Sequence, residues 1–205
     1  KIRGGLRFTD YNLHKKIYVD PRVGIKYHFS DDIALKGNWG LYHQFLTTAN
    51  NQDENLRLVE LWLGIPKDKP ASISEHVIGG VEYMSPRNIF YRIELYQKTF
   101  KNLLTLKQDN ANEFEGTSQD STINEFWDTR GNSNGIELLV KKSSGKFNGW
   151  IGYTISKSTR QFEYIHLGRE YPYKFDRRHD LSIVASYKIK EGINISTTFI
   201  YGSGN

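Results

Sequence analysis

Cysteine is absent from the 205 residues and methionine occurs once, which removes disulfides, thiolate metal sites and cysteine nucleophiles. Cysteine-free sequences occur in every compartment, so this absence does not locate the protein. Apolar residues are also few: they make up 38% of the chain, yet Tyr (13), Phe (11) and Trp (4) are abundant. That balance argues against a conventional aliphatic core. Nowhere does an apolar run approach the roughly 18 residues that a membrane-crossing helix needs. This excludes helical spans only, because a barrel strand requires about 9 to 11 residues with every second one apolar. A block of one charge sign is missing too. The 28 basic and 23 acidic side chains leave a net +5 spread along the chain, so a clustered nucleic-acid footprint is not expected. No leader segment is visible at Lys1, "KIRGGLRF" already reads as a strand, and "YGSGN" ends without a terminating element. An excerpt of a longer protein is therefore expected.

What the chain does have is alternation. In "LSIVASYKIKEGINISTTFIY" (181–201), Leu181, Ile183, Ala185, Tyr187, Ile189, Ile193, Ile195, Phe199 and Tyr201 share odd numbers, with Ser182, Ser186, Lys188, Asn194, Ser196 and Thr198 between them. Successive strand side chains point to opposite sides, so this is a hairpin with one oily and one wet face. The same pattern predicts nine strands, near 2–9, 21–29, 33–46, 75–84, 88–100, 134–142, 146–159, 178–189 and 193–202. Helical periodicity is suggested only at Asp53 to Leu63.

Four connections are tight and built from turn chemistry: "SDD" (30–32), "SPR" (85–87), "SSG" (143–145) and "KEG" (190–192). The other four, 10–20, 47–74, 101–133 and 160–177, read as long, so short and long connections alternate strictly. In a meander this trims one end of the sheet and loads the other with loops, as in outer-membrane barrels. A soluble sheet would alternate as well. Strands of 10 to 14 residues exceed the usual soluble length of about 5 to 6, and aromatics near strand ends suit an interfacial girdle. Both features favour lipid over a protein core.

Several stretches carry a family resemblance: "NGIELLVKKSSGKFNGWIGYTISKSTRQF" (134–162), "YPYKFDRRHDLSIVASYKI" (171–189), "FIYGSG" (199–204) and "DPRVGIKYHFSDDIALKGNWGLYHQF" (20–45). Within them stand Gly135-Ile136-Glu137, Gly149-Trp150, Tyr153-Thr154-Ile155-Ser156 and Asp176-Arg177-Arg178-His179-Asp180. In this order the stretches resemble the C-terminal β-barrel portion of a TonB-dependent outer-membrane receptor, along most of the chain. The resemblance implies an all-β, antiparallel up-and-down transmembrane barrel of about 22 strands closed by a plug, of which residues 1–205 would supply about nine strands. It further implies active import of a scarce nutrient such as an iron-siderophore, haem, a cobalamin or a glycan, powered through TonB. The implied partners are the bilayer of the bacterial outer membrane, the protein's own plug domain, the TonB complex and the nutrient. The plug, the TonB box and the final strands are not in this sequence.

Chemistry of other kinds finds little support. His179 beside Asp176 and Asp180 could be drawn as a general base, but adjacent strand residues face opposite ways. Arg–Asp pairing at a barrel rim is the plainer reading. The six histidines (14, 28, 43, 76, 166 and 179) form no i, i+2 or i, i+4 pair, and Asp53, Glu54 and Glu60 lack the rhythm of a calcium loop. No cofactor and no catalytic residues are expected, and the protein is read as a transporter, not an enzyme. Loop aromatics are the candidate ligand contacts, since binding residues gather on loops held by a rigid scaffold: Phe126, Trp127, Phe162, Tyr164, Tyr171 and Tyr173. Packing of the loops on one another is their plainer role. Arg92, Glu94 and Lys98 are expected to face the lumen and the plug. The rival readings are a smaller outer-membrane pore or hydrolase, and a soluble or surface β-sheet binding or adhesion module.

Overall fold

A computed structural model of the chain describes residues 1–48, 62–106, 126–162 and 166–204. Nine long strands dominate it: β1 (Ile2–Tyr11), β2 (Lys16–His28), β3 (Ile33–Gln44), β6 (Ser72–Met84), β7 (Ile89–Leu106), β8 (Phe126–Lys142), β9 (Phe147–Gln161), β11 (His179–Lys190) and β12 (Ile193–Gly202). Three short strands accompany them: β4 (Leu46–Thr48), β5 (Trp62–Gly64) and β10 (Glu170–Pro172). Each long strand pairs antiparallel with the next in sequence, in the order β1-β2-β3-β6-β7-β8-β9-β11-β12, while β10 adds to β9 and β4 pairs β5. The result is an open up-and-down sheet with the architecture of a β-barrel segment.

Register joins the alternating strands into two continuous faces. One row of directly paired residues runs Tyr27, Leu35, Val81, Ile93, Leu138, Tyr153, Leu181, Tyr201 across eight strands. Because paired residues share a face, the oily sides of all these strands coincide. Few apolar side chains are interior: among the described residues only Ala34, Ile65, Ala71, Leu104 and Phe162 are buried. Meanwhile Ile93 is 51% exposed, Leu95 57% and Val77 51%. A sheet of this size with an uncovered apolar face is not the interior of an ordinary globular domain. No helix among the described residues is long and apolar enough to cross a membrane.

The tight turns follow their chemistry. Gly145 (φ 93°) and Gly192 (φ 81°) take the left-handed conformation their hairpins need, and Asn88 (φ 57°) does so after Pro86-Arg87. At the opposite end the first connection differs from expectation. Residues 10–20 are not a long loop: β1 and β2 pair as far as Tyr11 and Lys16, and a four-residue turn at 12–15 closes them. Ile17, Val19 and Pro21 continue the alternation. The turn itself, with Lys15 at φ 48°, contains neither Gly nor Pro to announce it. Strict alternation of short and long connections therefore begins only after this hairpin. Most of the suggested helix at 53–63 lies outside the described residues, and Trp62 and Leu63 belong to β5.

Candidate ligand-binding site

The polar face carries a row of side chains near the end opposite the tight turns. Direct pairing sets Tyr42, Ser74, Phe100, Gly131, Arg160 and Tyr171 side by side, one each from β3, β6, β7, β8, β9 and β10. The adjacent row is Arg22, Gly40, His76, Lys98, Ser133 and Ser158. Stacking links the two rows. Arg22 Cζ lies 4.6 Å from the Tyr42 ring centroid, Tyr42 and His76 are 4.6 Å apart, and His76 meets Phe100 at 6.5 Å. Arg160 then sits 5.2 Å from Phe100 and 4.1 Å from Tyr173, while Lys98 lies over Tyr96 at 4.8 Å.

Two glycines make this arrangement possible. A Cβ on Gly131 would collide with Arg160 Nη1, and one on Gly40 would stand 2.8 Å from Tyr42 Oη. Bare backbone at these points lets Arg160 reach across β8 to Phe100 and lets Tyr42 lie flat. Tyr173 is held beside Arg160 by its own segment. Its amide donates to Ser158 O at 2.9 Å, and the Ser158 amide donates to Asp176 Oδ1 at 2.6 Å.

The electrostatics of the row favour an anion. Among the described residues, Arg22, Lys98 and Arg160 form no ion pair. Arg160 lies beyond the apolar band, since Lys157 and Thr159 follow Ile155 on the opposite face of β9. Burial lowers the pKa of its guanidinium, with Tyr173 and Tyr171 acting the other way. The group remains charged, as arginine does in proteins. Unpaired cations among flat rings can bind a ligand that carries both negative charge and a ring.

Nearer the tight turns the polar face holds a different structure, an ion-pair chain across four strands. Lys26 Nζ meets Glu82 Oε2 at 2.5 Å, and Lys36 bridges Glu82 at 2.9 Å and Glu94 at 3.1 Å. Arg92 closes on Glu94 at 3.0 Å. A cavity of about 410 Å³ lies beside this chain, lined by Arg3, Lys26, His28, Lys36, Asn38 and Glu82 among others.

A third cluster clasps the segment after β5 onto β1 to β3. The Tyr11 hydroxyl donates to Ile65 O at 3.0 Å and Phe45 O at 3.3 Å, and its ring stacks on Phe45 at 4.7 Å. Burial raises the Tyr11 pKa above the ordinary phenol value, which keeps the donor proton in place. His14 bridges Tyr18 Oη (2.5 Å) and Pro66 O (2.8 Å). His43 Nδ1 lies 2.6 Å from Oδ1 of the buried Asp20.

Of the loop aromatics singled out from sequence, Tyr171 and Tyr173 join the cation–aromatic row. Phe162 is 1% exposed and stacks on Tyr171 at 6.0 Å, so it anchors the row from beneath. Phe126 and Trp127 are not loop residues: they open β8, paired with Leu106 and Thr105. Tyr164 lies outside the described residues. Arg92 and Glu94 belong to the ion-pair chain, and Lys98 borders the cation–aromatic row. Sequence reasoning passed over Arg22, Tyr42, His76, Phe100 and Arg160. Arg22, Tyr42, His76 and Phe100 stand on the polar side of predicted strands, whereas Arg160 falls in the expected connection 160–177 and belongs instead to β9; only the register, which one sequence does not reveal, brings them together. At the strand entrance Arg178 reaches Asp176 at 3.5 Å, while His179 Nδ1 meets Tyr153 Oη at 2.8 Å.

No protein-family profile matches the chain, and no curated protein sequence matches it. Among solved structures it is similar to the closed form of the ferric-catecholate import receptor Fiu from K12 E. coli, with a TM-score of 0.58 and 14% sequence identity. The match covers 89% of this chain and 24% of the receptor's, so the chain spans about a quarter of that protein's length. What the two share is a fold: the chain is built like one stretch of the receptor's sheet.

Proposed function

We propose that the chain is one arc of a TonB-dependent outer-membrane receptor, and that the receptor imports a negatively charged, ring-bearing nutrient such as an iron chelate. The observation that carries this reading is the pairing of an uncovered apolar face on nine strands with a row of unpaired cations and aromatics at one end of the other face. Lipid satisfies the first without a protein core. An anion with flat rings satisfies the second. The fold likeness to a receptor named for ferric-catecholate import supports it, because a catecholate combines charge and ring in this way. The apolar side is then the lipid side, the ion-pair chain faces the lumen and a plug supplied elsewhere in the protein, and the Tyr42–Arg160 row lies at the outer mouth. In this role the protein is a carrier and performs no covalent chemistry on its ligand.

The test uses the full-length protein in cells able or unable to energise TonB. Uptake of a radiolabelled ferric catecholate should require both the protein and TonB. Recovery of the protein in plain buffer without detergent would end the membrane reading, and uptake indifferent to TonB would end the receptor reading.

A further inference from the structure

The tight-turn end bears a cationic, aromatic groove on its apolar side that the import reading leaves unused. Tyr83 and Tyr91 are directly paired across β6 and β7, with ring centroids 5.9 Å apart and planes 25° from parallel. They wall a groove of about 440 Å³ with Ser85, Pro86, Arg87 and Ile89. Arg87 is an exposed turn residue at one end of it. Ile89 pairs with Lys142, which puts that lysine on the same apolar face. Lys142 folds toward its own turn: its Cε lies 4.0 Å from where a Cβ on Gly145 would stand. Exposed Lys146 follows in that turn. Among the described residues none of Arg87, Lys142 and Lys146 forms an ion pair. The nearest acidic turn holds Asp31 and Asp32, next to Met84, whose amide N–H donates a hydrogen bond to Asp32 O.

We infer that this groove is a binding site for an anionic glycerophospholipid in the leaflet that meets the tight turns. The tyrosines and Ile89 offer apolar surface for the upper acyl chain, and tyrosine suits the boundary between hydrocarbon and headgroup. Arg87 and the Ser85 hydroxyl stand where a phosphate would lie, and Lys142 and Lys146 extend the positive field sideways. The charge selects a net-negative headgroup, because a zwitterionic one returns most of the attraction through its own cation. A soluble acidic partner is disfavoured, since half of the groove wall belongs to the face immersed in lipid.

This inference rests on the membrane reading, and the experiment separates the two. The full-length protein is reconstituted in nanodiscs of mixed phosphatidylethanolamine and phosphatidylglycerol, and the lipids retained on release are counted by native mass spectrometry. Phosphatidylglycerol should be retained in preference. Each cation near an anionic surface contributes about fivefold, so the R87A/K142A variant should lose preference by about twenty-five-fold. K101A, at the opposite end of β7, should not change it. Equal retention of both lipids, or a preference untouched by R87A/K142A, would overturn the site while leaving membrane insertion standing. Failure of the wild type to enter nanodiscs would overturn the membrane reading and this inference with it.

Discussion

At the scale of single residues the cation–aromatic row is the most exposed to test. Cation–aromatic contacts are worth about 0.5–1 kcal/mol at the surface and about 2 kcal/mol when desolvated. Arg160→Ala, which removes contacts to Phe100 and Tyr173 together, should weaken ligand binding by roughly five- to thirtyfold at that energy. Gly131→Ala is the sharper variant. It leaves every charge in place but puts a methyl where Arg160 Nη1 now lies, so it should reproduce much of the Arg160→Ala loss in equilibrium binding to the purified receptor. Unchanged affinity in both variants would separate the row from recognition. Tyr11 gives a prediction in pH. Its pKa is raised by burial, so the clasp's contribution is complete below the ordinary phenol value near 10. That contribution disappears as pH rises through the higher folded value. Proteolytic nicking between residues 62 and 71 should therefore increase in alkali for the wild type. Tyr11→Phe should show the increase at neutral pH, and a profile identical to wild type would remove Tyr11 from the clasp.

At the scale of elements the two faces are not equivalent. Ile183 belongs to the apolar series with Ile151 and Phe199, whereas neighbouring Ser182 pairs Gly152 and Ile200 on the other face. Lysine at a lipid-facing midplane costs about 2–4 kcal/mol and little on the lumen side. Ile183→Lys should thus deplete the heat-modifiable, folded band on electrophoresis, and Ser182→Lys should leave it intact; equal depletion would mean the faces are misassigned. Much of this element structure was readable beforehand. The nine strands and four tight turns followed from alternation and from Gly, Pro, Ser and Asp at the turns, because a half-buried strand imposes period two on its residues. Strand ends were less legible. Past the apolar band β7 and β8 lose the period of two, with a register shift between Phe100 and Leu103, so Phe126 and Trp127 read as loop in the sequence. The cation–aromatic row is illegible in the sequence for another reason: a contact such as Arg160 with Phe100 depends on register between strands sixty residues apart, and no local pattern encodes it.

At the scale of the whole molecule the open edges matter most. Among the described residues β1 and β12 each have a long-strand partner on one side, and unpaired backbone groups cost several kcal/mol each in hydrocarbon. The proposed receptor must therefore cover both edges with further strands. In the full-length protein, amides on the open sides of β1 and β12 should be as protected from hydrogen exchange as those of β7; rapid exchange there would contradict a closed barrel.

The meander has a kinetic consequence as well. Among the described residues every long strand pairs only with its neighbours in the order of the long strands, so each tight-turn hairpin closes a short loop and can form before the next strand arrives. Assembly can then proceed by successive addition, the newest edge always templating the following strand. A pause at any step leaves that template bare, open to an identical edge on another copy. The three longest connections, which delay arrival of the next strand most, are then the points where chaperoning during assembly is needed.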